Sequence, residues 1–129
     1  MRAFLLWLIL SLLCWTGLER WLDSSFRTNP RLVVVALDTS FAMEPVWNAI
    51  PPLLGNLDGA PYESYELHGP RGKLDGPAER VAIGTLRPYG PRSFDRLAKI
   101  GVEAHRRILI TNATADELPA PTGWTVLSP

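Results

Sequence analysis

Leu32-Val33-Val34-Val35-Ala36-Leu37-Asp38-Thr39-Ser40 is an unbroken apolar run that stops abruptly on an acid and two hydroxyls. Continuous rather than alternating apolarity is the pattern of a strand covered on both faces, as in a parallel sheet. Downstream, Val46, Ile50, Leu53, Leu54 and Leu57 fall on one face of a helix. Pro45 fits a first helical turn, whereas Pro51 and Pro52 predict a kink or two short pieces. Residues 65–68 read as a short second strand, and the turn-rich stretch 69–77 (GPRGKLDGP) as a surface loop. A third strand is expected over 80–86 (RVAIGTL). Ser93 is placed to cap a short helix that turns Phe94, Leu97 and Ile100 inward and stops at Gly101. Residues 107–111 (RILIT) and 124–127 (WTVL) complete the strands. Alternation of strand and helix is the signature of an α/β fold, expected here as a small three-layer, mostly parallel, Rossmann-like sheet over residues 31–129.

Ahead of this domain, residues 3–18 (AFLLWLILSLLCWTGL) carry no charge; Arg2 precedes them and Glu19 and Arg20 follow. Sixteen helical residues cover roughly 24 Å, the short edge of what a ~30 Å hydrocarbon core needs. Trp15 and Trp21 lie near the end of the run, where indole rings favour the headgroup zone. Residues 1–23 therefore read as an N-terminal membrane anchor in contact with lipid through 3–18, and 24–30 (SSFRTNP) as a linker. A cleaved signal sequence is the competing reading, but no A-x-A-like pair of small residues follows the run. Arg2 and the terminal amine favour a cytosolic N-terminus, against the pull of Arg20 and Arg27. The expectation is a single-pass membrane protein whose domain faces the extracytoplasmic side.

Composition narrows the classes further. The chain has 129 residues, 13 Lys+Arg against 13 Asp+Glu, and 47% apolar residues. That content is too apolar for a disordered chain. Balanced charge gives no footprint for nucleic acid, which shows as a basic domain. Cys14 stands alone, which excludes an intrachain disulfide framework and a Cys-based zinc cluster.

Chemistry concentrates at two strand ends. In open parallel sheets, ligands sit beyond the carboxyl ends of strands. One end here carries Asp38, Thr39 and Ser40; another carries Thr111, Asn112, Thr114 and Asp116. A carboxylate with hydroxyls and a carboxamide is hard-oxygen chemistry, suited to Mg²⁺ or Ca²⁺ rather than zinc.

VVVALDTSFAM (33–43) resembles the first strand and metal-binding turn of von Willebrand factor A-type domains, an apolar strand followed by Asp-x-Ser-x-Ser. RRILITNATADELP (106–119) is similar to that family's later strand, which usually ends Thr-Asp-Gly. LRPYGPRSFDRL (86–97) lies where the family carries a Gly-rich loop with a metal-coordinating Thr. Asp38 and Ser40 match the first two metal-site residues, Ala42 replaces the second Ser, Asn112 stands where the second Asp would be, and Ser93 is the hydroxyl nearest the loop Thr. The resemblance thus implies a reduced vWA-like domain with a degenerate metal site at Asp38, Ser40, Asn112 and Ser93. It would need no cofactor, with Mg²⁺ or Ca²⁺ the ions such a site would take. In the family a partner's carboxylate completes the metal's coordination. With the site eroded, direct contact through Ser40, Asn112 and the adjacent loop is an equal expectation. The family's final helix has no counterpart here.

Other readings use the same residues. Asp38 or Ser40 could simply cap the helix that holds Val46. A phosphoryl-transfer enzyme of the haloacid dehalogenase type also places an Asp after its first strand, but needs a second Asp two residues on, where Ser40 stands. No G-x-S-x-G surrounds Ser40, and 69–73 (GPRGK) lacks the spacing of a phosphate loop. His68 and His105 lack ligand-like spacing. The expectation is a membrane-anchored, non-catalytic protein-binding or assembly module with a protein partner and no nucleic acid; the alternative is a small phosphate-ester hydrolase using Asp38.

Overall fold

A computed structural model of the chain describes residues 2–57, 61–69, 71–74, 86–118 and 123–129. It divides into two units, Met1–Pro30 and Arg31–Pro129.

The first unit is one α-helix, α1, Arg2–Thr28. Its stretch Phe4–Thr28 is long and apolar enough to cross a membrane, a property that a signal sequence shares, and none of it is buried within the chain. The sequence reading placed a linker at 24–30, whereas the helix continues through Thr28. Ser24 and Thr28 are accommodated because the Thr28 hydroxyl donates to the Ser24 carbonyl at 2.7 Å, and Arg27 pairs with Asp23 at 2.9 Å one turn below. Asn29 N–H closes the last turn onto the Ser25 carbonyl. Pro30 follows, and the residue before a proline is disfavoured in helical conformation.

The second unit is built on five strands: β1 (Arg31–Leu37), β2 (Glu63–Gly69), β3 (Gly72–Lys73), β4 (Arg106–Ile110) and β5 (Thr125–Leu127), ordered β3-β2-β1-β4-β5. β1 pairs parallel with both β2 and β4, β4 pairs parallel with β5, and among the described residues only the β2–β3 hairpin is antiparallel. In register, Val35 lies opposite Leu67 on one side and Ile108 on the other. The chain is thus α/β, with β1 buried at the centre as its continuous apolar run requires.

Side-chain alternation divides β1 between two faces. Val33, Val35 and Leu37 join Leu67, Ile108 and Ile110 on the first face. Met43, Ile50 and Leu54 cover that face from a 3₁₀ segment, Phe41–Ala49, and a short helix α2, Ile50–Leu57. The expected helix over 46–57 is therefore two pieces that join at Ala49 and Ile50. Pro51 and Pro52 stand in the first turn of α2, where a backbone N–H has no helical acceptor to lose.

Val34, Ala36 and Leu109 form the buried centre of the second face. The helix expected after Ser93 does not form there. Residues 95–99 run as successive turns, closed by Leu97 N–H to the Phe94 carbonyl and Lys99 N–H to the Arg96 carbonyl. The Ser93 hydroxyl donates to Asp95 instead of capping a helix, and so short an isolated helix is marginal. Helices thus cover one face, and an irregular segment packs on the other. Gly101, with φ +63°, lets that segment pass so close to β1 that a Cβ added there would meet Val34 Cβ at 2.9 Å.

The stretch read as a loop at 69–77 contains β3, and Leu74, just past it, donates its N–H to the Leu67 carbonyl across the hairpin. Of the strand expected over 80–86, residues 80–85 lie outside the described residues; Leu86 packs against the first-face core. The hairpin is fastened by Lys73 Nζ to Glu66 Oε1 at 2.6 Å, and that hydrogen bond holds the Glu66 carboxyl below the usual carboxylate range against the opposing effect of burial.

Two outcomes follow from the packing. Gly101→Ala is expected to destabilise the domain by about 2 kcal/mol, from left-handed strain and the clash with Val34, measured by denaturant unfolding of the intact chain in detergent. Because the folded Glu66 carboxyl titrates below its unfolded value, its contribution is present at neutral pH and lost as pH falls through that lowered value. Lys73→Met is expected to move the Glu66 titration upward by NMR and to make the acid limb of the stability profile shallower, because the difference between the folded and unfolded titrations shrinks.

A candidate functional site at the carboxyl ends of β1 and β4

β2 and β4 leave β1 on opposite sides, so the carboxyl ends of β1 and β4 flank a topological switch point, the crevice where α/β sheets receive ligands. Pairing continues past both strands: Asp38 N–H donates to the Ile110 carbonyl at 3.0 Å and Thr111 N–H to the Leu127 carbonyl at 3.1 Å. These bonds fix the backbone at Asp38 and Thr111, and both side chains are buried.

The Asp38 carboxylate is fully engaged. Its Oδ1 accepts the Ser40 N–H at 2.9 Å; its Oδ2 accepts the Thr111 hydroxyl at 2.7 Å and Arg92 Nε at 3.2 Å. Arg92 extends this into a three-way clamp. Its Nη2 donates to Asn112 Oδ1 and its Nη1 to Glu117 Oε2 at 2.6 Å. The Asp38 side chain is 5% exposed, Arg92 17% and Glu117 51%, so the clamp grades from a buried inner acid to a half-exposed outer one. A buried carboxylate is costly unless paired and hydrogen-bonded, and the guanidinium supplies both with a rigid fork of donors. Asn112 is oriented by its own bond from Nδ2 to the Ala42 carbonyl, and its N–H meets Met43 Sδ at 3.2 Å. Glu117 also accepts the Thr114 N–H.

Of the residues expected at this site, Asp38 and Asn112 are brought together, 74 positions apart in the chain but joined through one guanidinium. Ser40 is beside them, with its N–H on Asp38 and its buried Oγ without a hydrogen-bond partner among the described residues. Ser40 occupies the N-cap position of the 3₁₀ segment yet makes no side-chain cap bond. Ser93 lies apart from the clamp: its hydroxyl is committed to Asp95, and it lines a neighbouring pocket of about 400 Å³ with Asp38, Ser40 and the apolar Ala36, Leu97 and Ile100. Phe41, 63% exposed, follows Ser40, and its N–H donates to the Gly90 carbonyl of the loop that carries Arg92. Arg92 and Glu117 are the site residues that sequence reasoning did not single out. Thr111 and Arg92 sit inside stretches already marked as strand end and loop, but no spacing pattern distinguishes an arginine that will fold into a crevice.

Arg92 opposes a divalent ion at Asp38 Oδ2. An ion ligated to Asp38 Oδ2 at about 2.0–2.6 Å could stand no farther than about 6 Å from Arg92 Nε. Repulsion between a double and a single positive charge there is roughly 6 kcal/mol at an effective dielectric near 20. Among the described residues, no group of three or more His, Cys, Asp or Glu is gathered for a metal.

No family model, curated protein or solved structure matches the chain.

Thr111→Val is isosteric and removes the hydroxyl that serves Asp38 Oδ2 and accepts the Ala113 N–H at 3.1 Å. It is expected to cost about 1–3 kcal/mol in denaturant unfolding, with no change in the secondary structure seen by circular dichroism.

Proposed function

We propose that the protein is a membrane-anchored, non-catalytic binding or assembly module, resembling a reduced von Willebrand factor A-type domain, that engages a protein partner with the strand-end surface around Asp38, Ser40, Asn112 and Ser93. The observation that carries this reading is the exposed Phe41 set beside a polar cluster whose buried carboxylate, Asp38, is already paired with Arg92. Exposed aromatic side chains beside shaped pockets are what protein interfaces bury at their centres. Catalysis by Asp38 is disfavoured on the same ground: both carboxylate oxygens are held by Ser40, Thr111 and Arg92, so neither is presented as a free nucleophile. The apolar stretch of α1 supplies the anchor, with the domain on the extracytoplasmic side in keeping with Arg2 ahead of the span.

The intact protein, solubilised in detergent, is expected to retain a partner on affinity capture. Phe41→Ser is expected to release that partner while leaving the melting temperature within a few degrees, since the side chain is already exposed. In carbonate extraction the intact chain is expected to stay with the membrane pellet, and a chain lacking residues 2–23 to be released. Turnover of a generic phosphate ester that disappears in Asp38→Asn would overturn the non-catalytic reading.

A further inference from the structure

We infer that Arg92 is the permanent cation of the strand-end site, taking the place a divalent ion would hold, so that the surface is assembled without metal. This deepens the proposed binding role by fixing what that site requires, but metal titration decides it separately from partner capture.

Three features of the clamp support the substitution. Arg92 bridges oxygens from separate stretches of chain, Asp38 after β1 and Asn112 and Glu117 after β4, which is the task of a cation at a switch point. The acceptors include both the most buried acid of the crevice and an amide oxygen, an oxygen set that a hard cation would otherwise collect. The cation is also covalently tethered by a backbone that is itself fastened to the site, since Tyr89 N–H donates to the Thr39 carbonyl at 2.6 Å and Phe41 N–H to the Gly90 carbonyl at 3.1 Å. A tethered charge competes at high effective concentration against any free ion. The Ser40 hydroxyl beside Asp38 is buried and has no hydrogen-bond partner among the described residues.

Thermal unfolding of the full chain in detergent tests this, with Mg²⁺, Ca²⁺ or a chelator added at millimolar concentration. Wild type is expected to melt at the same temperature in all three. Arg92→Ala is expected to melt roughly 10–20 °C lower, and Mg²⁺ or Ca²⁺ to restore part of that loss by binding the vacated oxygens, an effect that Asp38→Asn in the same background removes. Arg92→Lys, which keeps the charge but loses the fork, is expected to fall between, and Arg92→Gln, which removes the charge but keeps a polar side chain, serves if Arg92→Ala does not fold. Wild type that is stabilised by either ion through Asp38 would overturn the inference. So would Arg92→Ala that melts like wild type, or a folded Arg92→Ala or Arg92→Gln that neither ion stabilises, which would leave Arg92 as an ordinary ion pair.

Discussion

The architecture depends on burying one carboxylate. Asp38 directly follows the central strand at the switch point of the sheet, and its side chain is buried. An acid there needs a counter-charge and hydrogen bonds, or it costs several kcal/mol. The Ser40 amide, the Thr111 hydroxyl and Arg92 together meet that need. Because they come from three stretches of chain, satisfying the acid also ties the loop before the second face and the segment after β4 to the end of β1. The polar cluster is thus both a closure for the core and the organiser of the surface above it.

The two sides of the sheet are unequal in a way that bears on function. Met43, Ile50 and Leu54 seal the first face with regular helical structure. The second is packed by turns pinned at Gly101, and pockets of about 400 Å³ and 340 Å³ open along it. Interaction surfaces commonly sit on loops positioned by a rigid scaffold. Here the helical segments cover the first face, and the pockets open along the second.

Much of this was legible in the sequence. The apolar run of β1 announced a buried parallel strand, and the prolines at 51 and 52 announced the break that appears between the 3₁₀ segment and α2. The polar residues after β1 and β4 marked the strand ends that converge. Three things were hidden, each for a physical reason. Ser24, Ser25 and Thr28 look like linker residues, yet a helix already nucleated by the apolar run extends through them at little cost. The inward spacing of Phe94, Leu97 and Ile100 matched a helix, but side chains at that spacing can also be presented by consecutive turns, and among the described residues no neighbouring helix supports a regular one. Arg92 was invisible because the partner of a buried acid is chosen by tertiary proximity, and Arg92 lies 54 residues away from Asp38.

A double-mutant cycle on Asp38→Asn and Arg92→Gln, read by denaturant unfolding of the intact chain, measures the interaction on which the account turns. Each single variant leaves one partner of the buried pair behind, so the account predicts that the two losses fail to add, with a coupling of about 2–3 kcal/mol. Additive losses with coupling near zero would show that the two groups do not depend on each other, and would contradict it.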